Sequence, residues 1–304
     1  MNRLFALLAA AALAFSCAAP ARAYTDEEQT ELQIGQQEYQ QLQQKGEIVS
    51  SSPYYAILNP IAQRIKRIAD PQYFVPFHFI IVNESDPNAF AVPGGNVYVT
   101  TAMMKFAKNK EQLAGVLCHE TSHDIHHDVY NLYQKDQQLS LYATGLALLL
   151  GRGSNQIANS LINIAANLQS LHFSRNVEEN ADQKGATTCA QAGLDPWGLV
   201  WLMQAFETAN LPNPPEFVSD HPSNVHRVQA LESEFASDPG LFGKFNPDEA
   251  CATPLSYSGF YNQYKGSCGA PRRQASPSRP GTSSAPAPSR PTCPPGWKFC
   301  SRRA

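Results

Sequence analysis

Two histidines four residues apart, with a glutamate directly after the first, constrain this chain more than any other stretch: His119-Glu120-Thr121-Ser122-His123. On a helix the two imidazoles stand one above the other on one face, so both can reach a single metal ion. Glu120 then points beside that ion, where a carboxylate can take a proton from water. The pattern implies zinc hydrolase chemistry and requires a helix through this segment. The helix is expected to begin near Asn109, which can cap it while Gln112 reaches back, and Leu113, Val116 and Leu117 carry its apolar residues into the motif.

A hydrolytic zinc site needs three protein ligands and one open position. A third histidine six residues beyond the second, preceded by a glycine, is excluded, because position 126 is His126 and position 129 is Val129. The segment Ser174-Arg175-Asn176-Val177-Glu178-Glu179-Asn180-Ala181-Asp182 offers acids at helical spacing, and Glu178 and Asp182 share a face. Glu178 can complete a His, His, Glu site, with Asp182 accepting the second ring N–H of a ligating histidine. A solvated acidic helix face is the alternative. Cys118 adjoins His119 and is rotated about 100° away from the metal side. His126 and His127 read as a solvated helix end, and His172 and His226 read alike.

Elsewhere the hydrophobic pattern predicts mainly helices around a small sheet, the α+β class. Residues 26–45 are rich in Gln and Glu, with Leu32, Ile34, Tyr39 and Leu42 as the apolar stripe of a helix that is otherwise solvated. Ile57, Ile61, Ile65 and Ile68 mark a second helix over residues 54–69, with Pro60 a candidate for its first turn and Pro71 beyond its end. Residues 77–82 read as a buried strand in which His78 is structural. Asn88-Ala89-Phe90-Ala91-Val92 and Asn96-Val97-Tyr98-Val99-Thr100 flank Pro93-Gly94-Gly95 as a hairpin. Further helices are expected over residues 143–150, 157–168, 177–192 and 198–210.

The two ends differ from this middle. Met1-Asn2-Arg3, an apolar run to Phe15 and Ala21-Arg22-Ala23 read as a secretory signal over residues 1–23, with Tyr24 as the mature start. Cys17 offers a lipoprotein junction whose flanks, Ala14 and Phe15, fit poorly. The catalytic domain is expected over residues 24–269. Residues 270–304 turn to Pro, Ser, Ala and Arg without an acid and read as a disordered basic tail, suited to acidic surfaces or lipid headgroups. The net charge of −3 points to no nucleic-acid partner. The most apolar later run, Leu139 to Leu150, is too short for a span of about 20 residues.

The seven cysteines become six once Cys17 is removed with the leader, and an exported compartment allows these to pair. Cys251 with Cys268 and Cys293 with Cys300 are plausible local bridges. For Cys118 and Cys189 a bridge, a buried thiol pair and a ligand role are all open.

Four stretches in order resemble one family: Asn88-Ala89-Phe90-Ala91 with Pro93-Gly94-Gly95; His119-Glu120-x-x-His123; Ser174-Arg175-x-x-Glu178-x-x-Ala181-Asp182; and His221-Pro222-x-x-x-x-Arg227. Together they are similar to the HtpX-like and CAAX prenyl protease-like zinc metallopeptidases, metallopeptidase family forty-eight, over roughly Glu28 to Leu231. The resemblance implies a mainly helical, gluzincin-like zincin domain. It also implies one Zn(2+) on His119, His123 and Glu178, with Glu120 as general base and Asp182 behind the ligands. It further implies Arg227 near the site, and His221 either latching the metal or stabilising an oxyanion. Thr121 stands where the family usually has an aliphatic residue.

The expected function is therefore an exported, periplasmic zinc endopeptidase acting on unfolded or misassembled envelope proteins, with outer-membrane assembly machinery as a candidate partner. Substrate is expected to lie as a strand along Asn88, Ala89, Phe90 and Ala91, whose edge would offer backbone hydrogen bonds. The competing reading is a zinc-stabilised chaperone or assembly factor whose peptidase is latched by His221 and rarely used.

Overall fold

The computed structural model describes residues 22–135, 173–209, 215–221 and 225–255. Residues 1–21 of the expected leader with Cys17, the helices expected over residues 143–150 and 157–168, His172, Cys268, and the expected tail over residues 270–304 with Cys293 and Cys300 lie outside the described residues. Elements are numbered over the described residues alone.

Helix α1, Asp26–Lys45, opens on a capping box in which Thr25 accepts from the Glu28 amide and Glu28 reaches back to Thr25, and it closes on Gly46 at φ 74°. Its buried face differs from the expected stripe. Glu28, Glu31, Ile34, Gly35, Glu38 and Leu42 face inward, whereas Tyr39 is exposed. Glu31 is met on this inner face by Tyr73 and His127, as described below. Helix α2, Tyr55–Ala69, holds Pro60 in its interior rather than in its first turn; the helix continues past the missing N–H because Leu58, Ile61 and Ile65 anchor it in the core.

Strands β1 (His78–Val82), β2 (Ala89–Val92) and β3 (Asn96–Thr100) form one sheet in the order β1-β3-β2. β1 runs parallel to β3, with His78 opposite Asn96, and β2 runs antiparallel, with Phe90 opposite Tyr98. The expected hairpin is thus present, its turn carried by Gly94 and Gly95 at φ 94° and 83°, where a side chain would be strained. β1 is less buried than expected: His78 is exposed and has no core role. Successive side chains divide between two faces. Ile81, Ala89, Val97 and Val99 join the main core with α2 and the helices below, while Val82, Phe90, Val92 and Tyr98 join Ile34 and Leu42 of α1.

Helix α3 spans Thr101–Phe106, and α4 spans Lys110–Ile125. α4 is capped by Asn109, which accepts from the Gln112 amide as expected; Gln112 reaches back one residue further, to the Lys108 amide. Every residue of α4 from Gln112 to Asp124 is buried, so this helix runs through the centre of the domain. It packs on α5 (Arg175–Gln191) and α6 (Trp197–Thr208). Small residues permit the approach: a Cβ on Gly115 would lie 2.4 Å from the Leu199 nitrogen, and one on Gly185 would lie 3.0 Å from the His119 Cα. A disulfide between Cys118 and Cys189, with Cα atoms 5.9 Å apart, joins α4 to α5 and resolves the open question about these two cysteines. Cys251 is also disulfide-bonded.

Three helices follow: the short α7 (Glu216–Asp220), the longer α8 (Val225–Ser237) and the short α9 (Pro239–Phe242). The sequence pattern did not predict α8. It buries only Arg227, Val228, Leu231 and Phe235. Among the described residues no helix is long and apolar enough to cross a membrane.

Candidate metal centre

His119 and His123 stand one turn apart in α4, and their Nε2 atoms are 3.2 Å apart. Close packing of α5 on α4 brings Glu178 to the same point: its Oε2 is 3.5 Å from His119 Nε2 and its Oε1 3.8 Å from His123 Nε2. His221, at the end of α7, adds Nδ1 at 3.3 Å from His119 Nε2 and 3.0 Å from Glu178 Oε1. One ligand atom from each of these four residues falls within 4.8 Å of the others. All four side chains are buried, His221 the most open at 4% exposure.

The far nitrogens of both helix histidines are also engaged. Asp182 Oδ1 is 3.0 Å from His119 Nδ1, and Asp128 Oδ2 is 2.9 Å from His123 Nδ1. A carboxylate behind each ring sets its tautomer and aims Nε2 inward. Arg227, buried in α8, grips Asp182 through Nε and Nη2 at 2.7 and 2.6 Å, reaches Glu178 Oε2 at 2.8 Å, and donates to the His221 carbonyl at 3.2 Å. The guanidinium fork thus ties together the third acid, the acid behind His119 and the backbone of His221.

These residues fit a zinc ion on three counts. Two nitrogens on a tetrahedral ion with bonds of about 2.0–2.1 Å lie roughly 3.3 Å apart, and the observed separations among the histidine nitrogens are 3.2 and 3.3 Å. The donor set is imidazole and carboxylate, the usual one for zinc hydrolases. The site also calls for positive charge at its centre. Burial opposes a charge on His119, yet the carboxylates of Asp182 and Glu178 raise its pKa to about 10, so without a metal a proton takes up the place of a cation. Burial pushes His123 and His221 below the ordinary imidazole value, toward the neutral form that ligates.

Glu120 is buried beside this cluster. Its Oε2 accepts the Ala91 amide at 3.1 Å, and its Oε1, without a hydrogen-bond partner among the described residues, faces His221 Nε2 at 3.6 Å. Burial raises its pKa to about 8 against the pull of His119; a cation at the centre lowers it toward neutrality, where a general base works best.

The structure also shows what the four expected substrate-strand residues do. Ala91 is the only one with a direct bond to the site described here, and its amide is occupied by Glu120 rather than free. β2 is the edge strand, as expected. The Phe90 ring, however, lies on the far face, stacked on Tyr98 at 5.0 Å beneath α1. Asn88 is buried just before the strand, and its backbone carbonyl pairs with Thr100. Ala89 points the other way from Phe90, into the core that contains Leu113, Val116 and Leu117 of α4.

Three residues escaped the sequence reading. Asp128, five positions after His123, was visible as an acid in the run His126-His127-Asp128 but lies beyond the end of the helix. Phe173 and Phe217 form walls, stacked on His123 at 4.5 Å and on His221 at 5.1 Å. The expectation of a solvated end for α4 fails at His127, whose Nδ1 is 3.0 Å from both oxygens of Glu31; His226 is exposed, as expected. Thr121 is accommodated by donating to the Leu117 carbonyl at 2.6 Å.

Comparison with known proteins agrees with this geometry. The chain is 28% identical over 207 residues to the beta-barrel assembly-enhancing protease of Escherichia coli K12, covering 65% of this chain and 42% of that protein. It is 30% identical over 156 residues to the mitochondrial metalloendopeptidase OMA1 of Schizosaccharomyces pombe, covering 50% of this chain and 44% of that one. To the mitochondrial metalloendopeptidase OMA1 of Danio rerio it is 31% identical over 204 residues, with coverage of 61% and 41%. The chain therefore spans less than half the length of these relatives. Residues 56–235 match Peptidase family M48, which is more than half of the chain, and with the His-Glu-x-x-His helix packed against Glu178 the chain belongs to that family.

Proposed function

We propose that this chain is an exported, zinc-dependent endopeptidase that cleaves unfolded or misassembled proteins of the cell envelope, and that His221 closes its resting site. The observation that carries the reading is the convergence of His119, His123 and Glu178 with the free oxygen of Glu120 beside them. His119, His123 and Glu178 would hold the ion. When bound, zinc supplies a Lewis acid for the scissile carbonyl and lowers the pKa of water to about 7.

The other steps belong to the protein. Glu120 Oε1 takes a proton from the attacking water and returns it to the leaving amine, so the carboxylate ends the cycle as it began. Its second oxygen, held by the Ala91 amide, fixes the direction of the first. Asp182 and Asp128 keep the histidine rings in register, and Arg227 balances the charge of Glu178 and Asp182. The free edge of β2 runs past Glu120, where an extended peptide would gain backbone hydrogen bonds that depend little on its sequence. Tolerance of many sequences suits unfolded substrates. The envelope setting draws on the leader-like residues 1–23 and on the name of the beta-barrel assembly-enhancing protease.

A second reading, an assembly factor that seldom cleaves, is favoured by the burial of His221 among the ligands. The purified chain is expected to carry one zinc and to cleave unfolded casein, with loss of both on treatment with a chelator. A chain that binds no zinc would sink the proposal. His221→Ala separates the two roles: faster cleavage identifies a latch, slower cleavage a group acting on the transition state.

A further inference from the structure

We propose that Glu31 of α1 is a positioning residue that holds both halves of the site, the edge strand through Tyr73 and the histidine loop through His127. The inference rests on the reading of β2 as the substrate strand and of His123 as a metal ligand.

Glu31 lies on the N-terminal helix, far from the motifs in sequence, and is fully buried. One arm runs to the hairpin. The Tyr73 hydroxyl donates to Glu31 Oε2 at 3.0 Å, and the hydroxyl oxygen of Tyr73 in turn accepts the Gly94 amide at 3.0 Å. Gly94 sits in the turn three residues after Ala91, whose amide is bound to Glu120. One turn along α1, a Cβ on Gly35 would stand 2.2 Å from the Pro93 carbonyl, so the helix lies directly on this turn. Among the described residues strand β2 is an edge with no neighbour strand on its outer side, and this contact fixes its far end.

The other arm runs to the metal ligands. His127 adopts φ 55°, a left-handed conformation uncommon for any residue but glycine, although asparagine, aspartate and histidine enter it more often than the rest. Its bond to Glu31 and its packing at 5.5 Å from the Tyr73 ring hold it there. The next residue is Asp128, which reaches back to His123 Nδ1. A turn of that handedness is what directs the chain after α4 so that Asp128 can face the helix it has just left. A purely structural anchor for α1 would need neither the bond to Gly94 nor the one to His127.

The test uses the zinc-loaded full chain and three variants. Tyr73→Phe removes the hydroxyl arm; the KM for an extended unfolded peptide should rise about fivefold, the worth of one hydrogen bond, with kcat and zinc release within twofold of wild type. His127→Gly keeps the left-handed turn without the imidazole; zinc release to a chelator should quicken by roughly three- to tenfold, below or at the low end of the effect of losing a ligand's direct partner. Glu31→Gln should show both changes. Variants that lower only the thermal midpoint, leaving KM and zinc release unchanged, overturn the proposal. If wild type cleaves no peptide, the peptidase reading falls, while unchanged zinc release from His127→Gly still overturns this one and faster release supports it.

Discussion

Asp128 Oδ2 stands 2.9 Å from Nδ1 of His123, on the side of the ring opposite the nitrogen that meets His119. The pair mirrors Asp182 behind His119, so both histidines of the motif are aimed by a carboxylate that never touches the metal position. Asp128→Asn is expected to weaken zinc binding about 10- to 100-fold while leaving helicity unchanged, measured by competition with a chromogenic chelator. Affinity within twofold of wild type would remove Asp128 from the account.

Arg227 pairs with both of the buried carboxylates Glu178 and Asp182, and its charge depends on neither pH nor metal. Arg227→Met leaves both without it and should cost about 3–5 kcal/mol in urea unfolding of the metal-free chain. Arg227→Lys should recover little, because a single ammonium cannot reproduce the two-pronged bond to Asp182. A loss below about 1 kcal/mol would mean that the acids find other partners.

Helix α6 approaches α4 so closely that a Cβ on Gly198 would lie 1.8 Å from the Glu111 carbonyl, whereas one on Gly240 meets only a side-chain oxygen at 3.2 Å. Gly198→Ala is therefore expected to destabilise by about 1–3 kcal/mol and Gly240→Ala by much less. Equal thermal midpoints for the two variants would contradict the close packing.

Burial raises the pKa of Asp195 to about 7, against the pull of the Trp197 amide that it accepts at 3.0 Å. Between the ordinary carboxylate value near 4 and pH 7 the folded chain binds this proton more tightly than the unfolded one, so this group's contribution to stability falls as pH rises through that window. Asp195→Asn, which keeps an acceptor without the charge, should gain on wild type as pH rises from 4 to 8. Urea midpoints of the two proteins that stay parallel across this range would refute the shift.

What could be read in the sequence followed from period and spacing. The motif helix, its Asn109 cap and the Pro93-Gly94-Gly95 hairpin are local patterns, and each is present where expected. Glu178 and Asp182 were recognisable as a pair one turn apart, but their approach to His119 depends on Gly185 and on the bridge from Cys118 to Cys189, contacts between distant segments. The buried face of α1 was hidden because Glu28, Glu31 and Glu38 occupy it, and an acidic residue signals solvent until its partner is known. Asp128 escaped for a different reason: a left-handed residue at 127 turns the chain back toward the helix, and a histidine adopts that conformation too seldom to signal it. Helix α8 carries too few buried apolar positions to stand out, although its buried Arg227 organises the site.

The central claim is that Glu120 performs proton transfer beside a metal held by His119, His123 and Glu178. Its most direct test is casein cleavage and zinc content measured together on Glu120→Gln, which keeps the shape of the side chain and its bond to the Ala91 amide. The account predicts full zinc content with cleavage reduced at least about 100-fold. Cleavage at the wild-type rate by the zinc-loaded variant would contradict it.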